Sequence, residues 1–248
     1  MPTLTGTVSL AGVSSSGAND AWAVSTRRPQ RYTFNPLALH WNGTSWATSS
    51  ISTGIPGGTY LVGAADIGPT DAYAFGDNTS AASGELAQWN GTAWSRVSYP
   101  LPTSTGFPNT LNAISADGPN DVWIVGSYMI QVSQTNLRYE TFSDHWNGTS
   151  WSIAPSPGPG TENGLTGVTE TSPNNLWAVG SSIPSGATLP QTLTLNYNGT
   201  AWSTVASPNR GSRSVLTSVS TTSGDAIVWA AGTSGTTGSF NPLILQNG

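Results

Sequence analysis

Tryptophan is the residue type in this sequence best suited to forming a ligand site, and it recurs in a fixed hexapeptide. The hexapeptide begins with Trp or Tyr, continues with Asn-Gly-Thr, has Ser or Ala at its fifth position and ends with Trp. Its copies lie at 41–46, 89–94, 146–151 and 197–202. An indole face suits the C–H face of a pyranose, whereas large repeated aromatics also serve to pack neighbouring sheets. The leading aromatic residues are therefore candidate ligand-binding residues: Trp41, Trp89, Trp146 and Tyr197.

A polar residue precedes each of these aromatics. These residues are His40, Gln88, His145 and Asn196, and they include both histidines of the chain. We interpret them as a repeated hydrogen-bonding position for a ligand, with an ordinary solvated position as the alternative. The two histidines belong to non-adjacent repeats and the chain has no cysteine, so neither a metal site nor a cofactor is expected.

The carboxylates give no catalytic pattern. Glycoside hydrolysis needs two carboxylates facing one sugar, and the spacing of Asp66, Asp117 and Glu170 singles out no pair. A second group stands at repeated positions just before the second strand pattern and is predicted to consist of turn residues that bind nearby backbone amides: Asp20, Asp71, Asp121 and Asp225. No nucleophile, metalloprotease or phosphate-loop motif is present, so the chain is predicted not to be an enzyme.

The composition limits the possible partners. The net charge is -5, only 8% of residues are charged, and lysine is absent. Nucleic-acid binding would need a basic surface to neutralise phosphates. No run approaches the roughly 20 apolar residues of a membrane helix, so membrane insertion is not expected, and the N-terminus does not resemble a signal peptide. The abundance of uncharged polar residues suggests a secreted or cell-surface protein.

A second motif sets the period of the whole chain. It places an aromatic residue in an apolar strand pattern at positions 22, 73, 123, 177 and 229, about every 50 residues, so that five units cover residues 1–248. Each unit contains four short strand patterns separated by turn signals and no helical period. Such repeats are typical of propeller blades. We predict a single all-β domain, a five-bladed β-propeller with four-stranded antiparallel blades.

Each Asn-Gly pair is expected to form a two-residue hairpin turn with positive φ at both residues. Trp41 would then face Thr44, and Leu39 would face Trp46. The last copy stops at Gln246-Asn247-Gly248, before an outer strand. We predict that the segment 2–6 supplies this strand and closes the last blade. The alternative is a strand from a neighbouring molecule, which would make the last blade a site of self-association.

The paired motifs resemble the repeats of secreted bacterial β-propeller proteins. The Trp-Asn-Gly-Thr-x-Trp hairpin is also similar to that of bacterial fucose-binding propeller lectins, and five blades in one chain are similar to tachylectin-type lectins. This resemblance implies a non-enzymatic, lectin-like protein with repeated weak sites for glycans or glycoconjugates. The alternatives are a structural or protein-interaction propeller, including a surface-assembly subunit, and, less favoured, a glycoside-active enzyme.

Overall fold

The computed structural model describes residues 2–4, 6–28, 34–51, 57–102, 108–172, 174–222, 227–236 and 238–247. Within these ranges the chain forms nineteen β-strands in five antiparallel sheets, and it contains no helix. Accordingly, no helix in the described ranges could span a membrane. The prediction of an all-β chain built from five repeated sheets is confirmed.

Contacts between residues divide the chain into two compact units. The first comprises Met1–Tyr99 with Pro108–Leu111, and the second comprises Pro100–Phe107 with Asn112–Gly248. Sheets 1 and 2 belong to the first unit, whereas sheets 4 and 5 and most of sheet 3 belong to the second. The prediction of a single domain over residues 1–248 stays a prediction.

The first unit holds two four-stranded sheets in which sequential strands are neighbours. The strands of sheet 1 are β1 (Thr7–Gly17), β2 (Asp20–Arg28), β3 (Asn35–Trp41) and β4 (Trp46–Ser49). The strands of sheet 2 are β5 (Thr59–Gly68), β6 (Asp71–Asn78), β7 (Ser83–Trp89) and β8 (Trp94–Val97).

The remaining three sheets have the same sequential order. The strands of sheet 3 are β9 (Asn109–Gly118), β10 (Asp121–Ser133), β11 (Asn136–Trp146) and β12 (Trp151–Ile153). The strands of sheet 4 are β13 (Glu162–Ser172), β14 (Asn175–Ile183), β15 (Gln191–Tyr197) and β16 (Trp202–Val205). The strands of sheet 5 are β17 (Arg213–Thr221), β18 (Val228–Thr236) and β19 (Ser239–Gln246).

Sheet 5 has three strands among the described residues, and none of them comes from the described part of the N-terminal segment. Residues 2–4 and Gly6 lie outside any strand, and residue 5 is not among the described residues. Gly6 has a φ of 88°, a left-handed conformation that interrupts an extended chain just before β1. The described residues of the segment 2–6 therefore do not complete the last blade as predicted.

The register of the Asn-Gly hairpins differs from the predicted one. Trp41 pairs directly with Trp46, so the loop between them has four residues instead of two. The Asn42 side-chain oxygen accepts the backbone N–H groups of Thr44 and Ser45, and only Gly43 takes a positive φ, of 88°. The prediction of a two-residue turn was wrong because the asparagine side chain, by itself bonding two amides, favours a longer loop.

Aromatic side chains form the core between neighbouring sheets within each unit. In the first unit, Trp22 of sheet 1 is fully buried against Trp89 and Trp94 of sheet 2. In the second unit, Trp123 of sheet 3 packs in the same way against Tyr197 and Trp202 of sheet 4. Sheets 1 and 3 thus present their second-strand aromatic to the hairpin of the following sheet, which defines a groove along each of these two contacts.

Candidate ligand groove between two sheets

The site is built first from a stacked pair within sheet 3. Trp123 on β10 lies directly opposite His145 on β11, and their rings stack with centroids 4.2 Å apart and planes inclined by 15°. Sheet 1 repeats this arrangement, since Trp22 stacks on His40 at 4.3 Å and 18°. The cross-strand register of the second and third strands therefore fixes each imidazole against an indole.

A carboxylate then orients each imidazole. His145 Nε2 is 2.8 Å from Asp121 Oδ1, an oxygen that also accepts the Trp123 Nε1–H at 3.1 Å. In sheet 1, His40 Nε2 is 2.6 Å from Asp20 Oδ1. Each imidazole is thus held by a stacked indole on one side and by a hydrogen bond from its Nε2 atom to an aspartate.

The other two repeats use amides for the same contact. Gln88 Nε2 donates to Asp71 Oδ1 at 2.9 Å, and Asn196 Nδ2 donates to Asn175 Oδ1 at 2.7 Å. The four polar residues therefore share a hydrogen-bonded position, although ligand binding by them stays a prediction. The three aspartates, Asp20, Asp71 and Asp121, were predicted to bond backbone amides. They bond side chains of the third strand, because each lies at the start of the second strand and on the same face of the sheet as that side chain. Asp225 lies outside the described residues.

A groove of about 410 Å³ opens beside this pair in the second unit. We call it the Tyr197 groove. Its wall from sheet 3 contains Trp123, His145 and residues 152–155, and its wall from sheet 4 contains Tyr197 and residues 200–202. Two predicted site residues, His145 and Tyr197, thus line one groove. Two hydroxyl-bearing residues, Ser152 and Thr200, line the same space.

The Trp202 indole N–H in the Tyr197 groove has no hydrogen-bond partner among the described residues, whereas the equivalent Trp94 N–H has one. In the first unit, Trp94 Nε1 donates to Ser49 Oγ at 3.2 Å. In the second unit, Ala154 occupies the place of Ser49 next to Trp202. Trp202 Nε1 is consequently buried without a hydrogen-bond partner among the described residues. The wall of this groove is more apolar than that of its counterpart.

The remaining predicted aromatics are partly buried and anchored to the backbone. The Nε1–H groups of Trp41, Trp89 and Trp146 donate to the carbonyl oxygens of Ala18, Pro69 and Pro119, respectively, at 3.1–3.2 Å. Each bond ties a hairpin to the turn between the first two strands of its own sheet. The four predicted aromatics thus lie one to a sheet, and the fold does not gather them into one site.

Two carboxyls of first strands, Glu170 and Asp66, have a raised pKa. Burial, together with the charges of Asp121 and Asp117, raises the pKa of Glu170 to about 8, and neither of its oxygens has a partner among the described residues. Burial also raises the pKa of Asp66, which accepts the Ser16 N–H at 3.0 Å. No cluster of three possible metal ligands occurs in the described part of the chain.

Sequence reasoning did not identify Trp202, Ser152 and Thr200 as members of a candidate site. The signal was available in part, since every hairpin ends in a second tryptophan. The sequence pattern does not show that the second-strand aromatic pairs with the polar residue of the third strand. This pairing follows from the register of β10 and β11.

Comparison with known proteins finds similarity of structure and not of sequence. No protein-family model matches the chain, and no curated protein matches it. A solved structure of YCF48 bound to D1 peptide is similar with a TM-score of 0.54 and 16% identity over 94% of this chain, which spans 63% of that protein's length. The α-L-arabinanase of Penicillium chrysogenum complexed with arabinobiose is similar with a TM-score of 0.55 and 9% identity over 91% of this chain and 71% of that enzyme.

At these identities the similarity establishes the fold alone. Together with five repeated antiparallel sheets, it defines the class of the protein as an all-β, five-bladed propeller whose fifth blade has three strands among the described residues. Propellers host binding proteins and enzymes alike, so function has to be argued from the site.

Proposed function

We propose that this chain is a non-enzymatic carbohydrate-binding protein, secreted or displayed at a cell surface, that holds neutral sugars weakly in grooves between its blades. The observation that supports this proposal is the Tyr197 groove. It places the half-buried Tyr197 ring beside an imidazole held by a carboxylate and beside two hydroxyl-bearing residues, Ser152 and Thr200. Among the residues that the structure describes, no carboxylate and no arginine line the groove, which favours an uncharged ligand.

The same construction in sheets 1 and 2 supports the idea of repeated sites. His40 stacks on Trp22, and Trp89 packs against the same indole at 5.1 Å. Two similar weak sites on one chain would strengthen binding to a surface that displays many copies of a glycan. The proposal therefore predicts weak binding of free sugars and stronger retention on dense glycan surfaces.

The test is a screen of the purified chain on an array of neutral glycans, followed by titration of each hit with tryptophan emission as the readout. Tyr197→Ala should weaken binding of a hit by roughly threefold to tenfold, because a stacked ring contributes about 0.5–1.5 kcal/mol. The control is Tyr139→Ala, which removes a tyrosine of the same unit that is 39% exposed and outside the groove. Folded protein that binds no glycan on the array would contradict the proposal.

A glycoside-active enzyme is the second candidate, and Glu170 is the observation that favours it. With a pKa of about 8, this residue keeps its proton at neutral pH, as a general acid must. One of the structurally similar proteins is an arabinanase. Release of arabinose from arabinobiose by this chain, lost in Glu170→Gln, would replace the binding proposal with this one.

A further inference from the structure

The packing of Trp202 in the second unit repeats that of Trp94 in the first unit. The ring centroids of Trp94 and Trp22 lie 4.8 Å apart, with the ring planes inclined by 81°. Those of Trp202 and Trp123 lie 5.7 Å apart, with the planes inclined by 89°. Trp94 and Trp202 are also similarly buried, at 2% and 7% exposure. The indole edges that carry their Nε1 atoms are therefore equivalent.

The fourth strand that faces this indole edge differs between the two units by one hydroxyl group. Ser49 and Ala154 each stand three residues after the tryptophan that ends the hairpin of their sheet. Ser49 Oγ accepts the Trp94 Nε1–H at 3.2 Å, whereas the methyl group of Ala154 can accept no hydrogen bond. Trp202 Nε1 is buried and has no partner among the described residues. A single difference between serine and alanine therefore leaves this indole donor unpaired.

The unpaired donor borders the Tyr197 groove. Trp202 and Ala154 both line this groove, and Ala154 packs against the core cluster to which Trp202 belongs. Because the Trp94 N–H points at the side chain of Ser49, the equivalent Trp202 N–H points at Ala154, which forms part of the groove wall. A buried donor without a partner is energetically costly, and a ligand oxygen that reaches it removes that cost.

The other polar groups of the groove are less selective. His145 Nε2 already contacts Asp121 Oδ1 at 2.8 Å. Ser152 and Thr200 are exposed, and a hydroxyl group can both donate and accept. The indole N–H of Trp202 can only donate. A site with a buried donor rejects ligands that offer it no acceptor, because the donor then stays unpaired in the complex. Trp202 is thus the residue of this groove best suited to select a ligand.

We infer that the Trp202 Nε1–H is the specificity-determining donor of the Tyr197 groove and binds an acceptor oxygen of a neutral pyranoside. This oxygen takes the place that Ser49 Oγ has beside Trp94. The inference rests on the proposed function and names the atom through which the groove selects its ligand. It also makes the groove of the second unit the stronger of the two, since the Trp94 N–H already has an internal partner.

The experiment titrates the whole chain with the methyl glycosides of glucose, galactose and mannose, which are neutral pyranosides. Calorimetry gives the affinity, and the indole N–H cross-peak of Trp202 in the NMR spectrum of isotopically labelled protein reports on the groove. A glycoside that binds should shift this cross-peak. Ala154→Ser should weaken its binding about threefold to tenfold, because the new hydroxyl accepts the Trp202 N–H as Ser49 accepts that of Trp94.

Two control variants separate a hydrogen bond from a steric effect. Trp202→Phe assigns the cross-peak by removing it, and in this background Ala154→Ser should not change the affinity further, because no N–H remains to be bonded. If Trp202→Phe does not fold, the large shift of one indole cross-peak in Ala154→Ser gives the assignment. Ala187→Ser adds a hydroxyl to an exposed residue outside the groove and should keep the wild-type affinity.

Two outcomes would overturn the inference while the proposed function stands. One is a glycoside that binds by calorimetry and leaves the Trp202 cross-peak in place. The other is equal affinity of the wild type and Ala154→Ser, since water would then be the partner of this N–H. If none of the three glycosides binds, the hits of the glycan array are titrated in the same way. A folded chain without any hit would contradict the proposed function and the inference together.

Discussion

At the scale of single residues, Asp144 is a carboxyl in a position that is otherwise apolar. The equivalent third-strand positions hold Leu39, Ala87, Leu195 and Leu245. Asp144 is fully buried, and neither oxygen has a hydrogen-bond partner among the described residues. Burial raises its pKa to about 7. Since a buried charge without a partner is costly, this carboxyl stays protonated in the folded chain at pH values where an exposed aspartate is ionised.

Replacing this carboxyl should therefore stabilise the protein at alkaline pH. The pKa of Asp144 in the folded chain lies above its unfolded value near 4. Its contribution to stability is therefore lost as the pH rises from about 4 through 7. Asp144→Asn should raise the free energy of unfolding by about 1–4 kcal/mol at pH 8, and by much less at pH 5. Urea unfolding at the two pH values measures this. The exposed Asp117→Asn is the control, with an expected gain below about 0.5 kcal/mol, because its charge is only a minor cause of the raised pKa of Glu170.

At the scale of strands, the repeated glycine of the second strand allows a close crossing. Gly180 pairs with Leu165, where β13 shifts register, and a Cβ at Gly180 would collide with the Gly164 carbonyl oxygen. Sheets 2 and 5 have the same arrangement at Gly76 and Gly232. Sheet 1 carries Ser25 instead, and its hydroxyl donates to the Ser9 carbonyl at 2.7 Å. Sheet 1 has the same register shift next to Ser25, so the crossing accepts either glycine or a serine that bonds the facing carbonyl.

Gly180→Ala should destabilise the protein by about 2–3 kcal/mol because the new methyl group must push the two strands apart. Gly180→Ser should cost less, since a hydroxyl can bond the Gly164 carbonyl as Ser25 bonds that of Ser9. Gly118→Ala is the matched control, because a Cβ there meets nothing within 4 Å. Chemical denaturation of the three variants measures these differences. Equal stability of Gly180→Ala and Gly118→Ala would refute the steric argument.

Strand number and order were predictable from the sequence, and the fine register was not. Turn residues recur at a fixed period, so the four strands of a repeat follow from spacing. The predicted loop after Trp41 is too short. Asn-Gly is compatible with several hairpin lengths, and the hydrogen bonds of the Asn42 side chain to two amides select the longer one. The stacking of Trp123 on His145 needed a register that only the folded chain provides. For the same reason, the sequence located two members of the Tyr197 groove and omitted Trp202.

At the scale of the whole molecule, the resolved shifts of carboxyl pKa values all have one direction. Burial is the largest cause in every case, and it raises the pKa of Asp66, Asp71, Asp77, Asp144 and Glu170. A chain with few charges offers few cations to hold these carboxylates, since it has seven arginines and no lysine. The folded protein therefore keeps protons that the unfolded chain releases at lower pH.

This shared direction predicts how the stability of the entire chain depends on pH. The stability that these carboxyls contribute should be fully present below about pH 4 and should fall as pH rises through the folded pKa values, with Asp144 near 7 and Glu170 near 8 as the largest contributors. The melting temperature should be at least about 5 °C higher at pH 5 than at pH 8.5, since each kcal/mol corresponds to roughly 2–4 °C for a chain of this size. Differential scanning calorimetry at constant ionic strength measures it. The double variant Asp144→Asn, Glu170→Gln should flatten the profile by removing the two largest shifts. A melting temperature that rises between pH 5 and 8.5 would mean that these carboxyls find partners when they ionise.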